Sequence, residues 1–140
     1  MTIPNTAREM ALKSREYVHN HNKEQWLAMF ADDAIIQDPI GPSYLDPTGK
    51  GFSTPQEREA FWDNNIAHSN IKITVRESYS VGNECANLLH LVIEYTYESQ
   101  RFRQTIDGVF TYELNDHGKL QRLRGYWSDS ENARRETIPG

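Results

Sequence analysis

At 140 residues and with a formal charge of −5, the chain has the length of one domain, enough to bury roughly two-thirds of its unfolded surface in a single core. Lys and Arg are scattered rather than striped, which removes the electrostatic footprint of a nucleic-acid or anionic-membrane binder, and no apolar run approaches the roughly 18–20 residues of a membrane span. The one cysteine, Cys85, excludes an internal disulfide and a Cys-based zinc site; with an N-terminus that lacks the charged-then-apolar layout of a signal peptide, the chain reads as soluble and cytoplasmic.

Thr6-Ala7-Arg8-Glu9 forms a capping box, and behind it Ala7, Met10, Ala11, Ser14, Tyr17 or Val18, and His21 recur at helical spacing. Asn22 caps a second, shorter helix whose inward face is Trp26, Met29 and Phe30. A short strand follows over Ala34-Ile35-Ile36-Gln37-Asp38 and must stop at Pro39, which cannot donate to a ladder. From Pro39 to Ser53 the chain carries three prolines and three glycines, a loop long enough to serve as a lid or pocket rim. Thr54-Pro55-Gln56-Glu57 starts a third helix with a second capping box and Pro at its first turn, facing Phe61, Trp62, Asn65 and Ile66 inward.

Everything afterwards reads as strand. Ile71, Ile73 and Val75 alternate, Gly82-Asn83 marks a turn, and Leu89 to Tyr97 is rich in apolar and aromatic residues. In the next strand Phe102, Ile106, Phe110, Tyr112 and Leu114 share one parity, while Arg103, Thr105, Asp107, Thr111 and Glu113 share the other. Asn115-Asp116-His117-Gly118 turns the chain into a last strand ending near Trp127. Residues 1–127 form the expected domain, and the almost wholly polar stretch 128–140 is expected as a loosely held tail. Helices first and strands later, without βαβ alternation, predict an α+β fold with a curved, mainly antiparallel sheet packed on three N-terminal helices.

Asp38 stands between an apolar strand and Pro39-Ile40-Gly41. A carboxylate facing a poorly solvated cavity there has a raised pKa and is a better base at neutral pH, although an Asp before Pro also serves as a turn residue. Other patterns carry little chemistry. His19 and His21 are two apart and point to different sides of a helix, no H-x-x-x-H pair exists, and no G-x-S-x-G turn strains a serine into a nucleophile, so no metal site is expected.

Phe30-Ala31-Asp32-Asp33-Ala34-x-x-x-Asp38-Pro39-Ile40-Gly41, the Gly-rich loop and the Phe61-Trp62 helix resemble the bacterial ketosteroid isomerases of the NTF2-like (SnoaL-like) superfamily. The resemblance resumes at Asn115-x-x-Gly118-Lys119-Leu120 and Leu123-Arg124-Gly125-Tyr126-Trp127. It implies a cone-shaped α+β barrel, a homodimer, and Asp38 as the base that shuttles a proton between carbons flanking a dienolate. It also implies a tyrosine oxyanion donor on the first helix, matched by Tyr17 if the connection between the first two helices is shortened and otherwise falling on Ser14 or Arg15.

The second donor of the family, an aspartate after an isoleucine, is matched in composition by Ile106-Asp107. Ungapped counting from Asn115 places Phe110 there, and parity turns Asp107 to the opposite face unless Gly108 marks a bulge. Trp127 falls at a pocket-lining position, with Phe61, Trp62 and Phe110 as further aromatic wall for a flat, hydrophobic small-molecule ligand. Base and donor suffice for enolate chemistry, so no cofactor is implied. The same cone could instead retain a steroid-like ligand without turning it over, or host a related cyclase or epoxide-hydrolase reaction, for which no trio of two carboxylates and an Arg can be placed.

Overall fold

A computed structural model describes residues 6–139. Three helices, α1 (Ala7–His19), α2 (Lys23–Leu27) and α3 (Pro55–Asn65), pack on six strands: β1 (Phe30–Gln37), β2 (Asn70–Val81), β3 (Glu84–Tyr97), β4 (Gln100–Leu114), β5 (Leu120–Tyr126) and β6 (Ala133–Ile138). The α+β expectation holds, with β1 lying between the second and third helices. Local chemistry starts each helix: the Thr6 hydroxyl accepts from Glu9 N, the Asn22 side chain accepts from Gln25 N, and at α3 the reciprocal Thr54 and Glu57 bonds are both made. Each cap satisfies amide groups that the first turn leaves without a partner.

The strands run in the order β1-β5-β4-β3-β2, and β6 pairs with β4. All pairings are antiparallel except β1 with β5. The long β4 has two partners on one side: Val109–Leu114 pair with β5, and Arg101–Ile106 pair with β6. The sheet's inner face and the helices enclose the core, in which Ala34, Ile36, Leu120 and Trp62 are almost wholly buried.

The segment expected as a loose tail is therefore corrected. Residues 133–138 add a sixth strand, held chiefly by backbone bonding to β4, with Ala133 packed against the core and an exposed Arg103 to Glu136 ion pair of 3.4 Å beside it. Of the two expected segments, residues 1–5 and 140 lie outside the described residues. The register between β3 and β4 runs without a break past Gly108, so no bulge forms there. Gly108 has another use: a Cβ on it would lie 2.8 Å from Tyr126 O and 3.0 Å from Trp127 Cβ, so its bare backbone makes room for the chain leaving β5.

Arg58 ties the third helix to β1. It is buried, donates from Nη1 to Ala34 O at 2.6 Å and from Nη2 to Asp32 O at 3.1 Å, and lies over the Phe30 ring. Its charge is thus spread over two carbonyls of the strand that leads to Asp38. Among the described residues no helix is long and apolar enough to cross a membrane.

Candidate active site

Strand period brings the first site residue inward. Ala34 and Ile36 are buried on the inner face of β1, and Asp38, two positions further, continues that face just as Pro39 ends the ladder. Asp38 lines a cavity of about 380 Å³, within the range of small-molecule sites. It is half-buried overall.

Trp127, one residue beyond β5, donates from Nε1 to Asp38 Oδ1 at 2.6 Å. Burial pushes the Asp38 carboxyl up to about 6, against a smaller downward pull from that indole N–H. Desolvation penalises the charged form, whereas a donated hydrogen bond favours it; here burial wins. Gly125 is the floor between the two groups, since a Cβ on it would lie 2.7 Å from Asp38 Oδ1, 2.8 Å from Phe110 Cε2 and 3.1 Å from Trp127 Cδ1.

Walls of the cavity are mostly apolar. Phe61 of α3, Phe110 of β4 and Trp127 line it together with Ile73, Leu91 and Ile106. Trp62 does not. It turns into the core, 5.2 Å from the Trp26 ring, and of these two indoles it is Trp26 that reaches the cavity. Adjacent helix positions point about 100° apart, so Phe61 and Trp62 cannot share one view of the ligand.

Tyr17 also stays off the cavity, packing partly buried against the core. Ser14 takes the inward position on α1, as expected without a shortened connection; it is buried and lines the cavity. Its Oγ accepts from Trp26 Nε1 at 3.0 Å, which leaves the hydroxyl proton available to donate.

Asp107 is on the outer face of β4. Its side chain is 48% exposed, and Oδ1 pairs with His90 Nδ1 at 2.8 Å, with Arg76 Nε 4.0 Å away. Phe110 faces inward in its stead, as the unbroken strand parity requires. Among the described residues no group of three or more His, Cys, Asp and Glu side chains gathers where it could hold a metal ion.

Two polar features escaped the sequence reading. Tyr44, from the Pro39–Ser53 loop, and buried Gln104 exchange hydrogen bonds of 3.2 and 2.9 Å where both line the cavity, and Arg135 of β6 lies over the Tyr44 ring. The loop is thereby tied to the sheet at the rim, and Gln104 stands on the same parity as Ile106, a signal available from the strand pattern. Tyr112 shares that parity too; it is buried and lines the cavity, and burial together with the neighbouring Asp38 charge raises its pKa.

The model of the SnoaL-like domain family matches residues 13–123. A Δ5-3-ketosteroid isomerase from Mycobacterium sp. is similar in structure at 32% identity, with a TM-score of 0.83 over 93% of this chain and 98% of its own. The protein RV0760c from Mycobacterium tuberculosis, solved in complex with estradiol-17beta-hemisuccinate, is 34% identical, with a TM-score of 0.81 over 91% of this chain and 97% of its own. A computationally designed 17-OHP binder reaches a TM-score of 0.87 at 31% identity, over 93% of this chain and 98% of its own. The architecture is that of the NTF2-like fold.

Proposed function

This chain belongs to the SnoaL-like domain family, and on that footing we propose that it is a steroid Δ-isomerase-like enzyme that moves a proton alpha to a ketone, with Asp38 as general base. The observation that carries this reading is the Asp38 carboxyl itself: it lies at the edge of an apolar cavity, held through one oxygen by Trp127 and raised by burial to about 6. A base with that pKa is ionised at neutral pH and still returns its proton readily. The indole anchors Oδ1, and Oδ2 takes the proton from carbon. An apolar chamber of this size suits a flat polycyclic ketone, and the isomerase and the steroid complex among the similar structures support that ligand class. The reaction needs a base and a hydrogen-bond donor, with no organic cofactor or metal.

A second reading has its own support. Phe110 occupies the position of one family donor and Tyr17 lies outside the cavity, so the same chamber would serve a binding protein for a hydrophobic small molecule. One comparison separates the two. Wild-type protein converts a Δ5-3-ketosteroid to its conjugated isomer, followed as rising ultraviolet absorbance, and Asp38→Asn abolishes the rate while retaining affinity. Wild type and Asp38→Asn that are equally inert, yet both bind the steroid, overturn the enzyme in favour of the binder.

A further inference from the structure

Three polar side chains that line the chamber are buried, Ser14, Gln104 and Tyr112, and the first two have hydrogen-bond partners. Ser14 Oγ takes the Trp26 indole, Asp38 Oδ1 takes the Trp127 indole, and Tyr44 and Gln104 bond each other. The Tyr112 hydroxyl, on a residue only 6% exposed, makes no hydrogen bond within the protein. Among the described residues no buried side-chain nitrogen or oxygen that is sealed from contact lacks a partner. The Tyr112 oxygen is therefore not sealed, and the space that it meets is the cavity its residue lines. Buried tyrosine hydroxyls find partners as a rule, and an exception calls for an explanation.

Position supplies one. Tyr112 follows Phe110 by two residues on the inner face of β4, and Phe110 Cε2 packs on Gly125 beside Asp38 Oδ1. Phe110 has nothing to donate. Burial, and behind it the nearby Asp38 charge, oppose ionisation of the Tyr112 phenol, so it keeps its proton at the neutral pH at which Asp38 is ionised. A permanent donor and a basic acceptor thus face one apolar space.

We propose that Tyr112 donates the hydrogen bond to the ligand's carbonyl oxygen and so supplies the oxyanion stabilisation that Tyr17 and Asp107 cannot reach. The assignment rests on the isomerase reading of Asp38. In the first step the C–H bond alpha to the ketone breaks, its proton goes to Asp38 Oδ2, and the electron pair moves through the enolate onto the oxygen that Tyr112 holds. In the second step the enolate collapses, the same proton returns to the more distant carbon of the conjugated system, and Asp38 is again a carboxylate. Nothing is oxidised or reduced, and no leaving group departs.

Tyr112→Phe removes one oxygen and keeps the ring, so the core stays filled. The probes are a Δ5-3-ketosteroid for turnover and a conjugated 3-ketosteroid for infrared difference spectra of the bound carbonyl. The expected result is a lowered carbonyl stretching frequency in wild type that disappears in Tyr112→Phe, a fall in kcat of about 10²- to 10³-fold, and a loss of affinity of less than about tenfold, because the donor acts chiefly on the developing charge. Tyr112→Phe that retains both the spectral shift and the turnover overturns the assignment while leaving Asp38 as base, and the same holds if Ser14→Ala removes them instead. Wild type that binds without turnover defeats the isomerase reading alone, and the spectrum still decides Tyr112. No binding by wild type overturns both.

Discussion

The indole N–H of Trp127 donates to Asp38 Oδ1 across 2.6 Å, joining the residue after β5 to the residue after β1. These strands are parallel neighbours, with Gln37 opposite Arg124, so both chains leave the sheet at the same end and carry base and anchor with them. The bond favours the carboxylate and burial favours the acid; their balance leaves Asp38 at about 6.

Turnover is expected to follow that balance. kcat/KM for a ketosteroid should rise with pH through about 6 and level off above it, because only the carboxylate accepts the proton. Trp127→Phe removes the one bond that pulls the pKa down, so its midpoint should move to higher pH. A pH–rate profile of both proteins checks this, and an unmoved midpoint would detach the indole from the base.

Stability should carry the opposite signature. The folded state binds a proton on Asp38 more tightly than the unfolded chain, whose Asp titrates near 4. This residue's contribution to folding is therefore fully present below about pH 4 and is lost as pH rises through about 6. Ionising Asp38 in place then costs up to about 3 kcal/mol. Asp38→Asn escapes this cost and should unfold later than wild type in denaturant at pH 7, with the difference closing toward pH 4. Equal stability at pH 7 would show a carboxylate far better solvated than its surroundings indicate.

Gly125→Ala places a methyl group 2.7 Å from Asp38 Oδ1 and 2.8 Å from Phe110 Cε2. Neither neighbour can give way without disturbing the Trp127 bond, so about 1–3 kcal/mol of stability should be lost and the ketosteroid rate should fall with it. Thermal melting and kcat on one preparation test the two effects together; a variant that melts and turns over like wild type contradicts the tight packing.

Asp107→Asn should leave turnover unchanged. Its carboxylate pairs with His90 on the outer face of the sheet, and half-exposed pairs of this kind contribute at most about 1 kcal/mol. Steady-state kinetics decide the matter, and a large loss of kcat would place Asp107 inside the chamber after all.

Ending the chain after Ser128 removes β6 and leaves the Arg101–Ile106 stretch of β4 paired on the β3 side alone. An open edge of that length invites pairing with other copies, and the Tyr44 ring loses Arg135. A lower melting temperature and self-association in size-exclusion chromatography are expected. An unaltered monodisperse protein would mean that the segment behaves as a tail.

How much could be read without the fold depends on the range of the forces involved. The caps at Thr6, Asn22 and Thr54 were legible because donor and acceptor lie three residues apart. The placing of Asp38 at the end of an apolar strand was legible from Pro39, which must stop the ladder, and the outward turn of Asp107 from two-residue alternation. Tyr17 and Trp62 resisted, because a helix pattern defines an apolar side only broadly and the rotation that seats Ser14 and Trp26 at the cavity is set by packing against the sheet.

Residues 133–138 resisted for another reason: their polar side chains show no hydrophobic pattern, and their order comes from β4 backbone groups that no local signal announces. By itself, then, the amino-acid order determined the α+β class, the helix starts, the strand faces and the placing of a carboxylate where the first strand must stop. Only the tertiary structure decided which indole holds that carboxylate, which buried hydroxyl of the chamber remains without a partner and which strand closes the edge, because each of these depends on groups far apart in the chain whose meeting is governed by packing and desolvation.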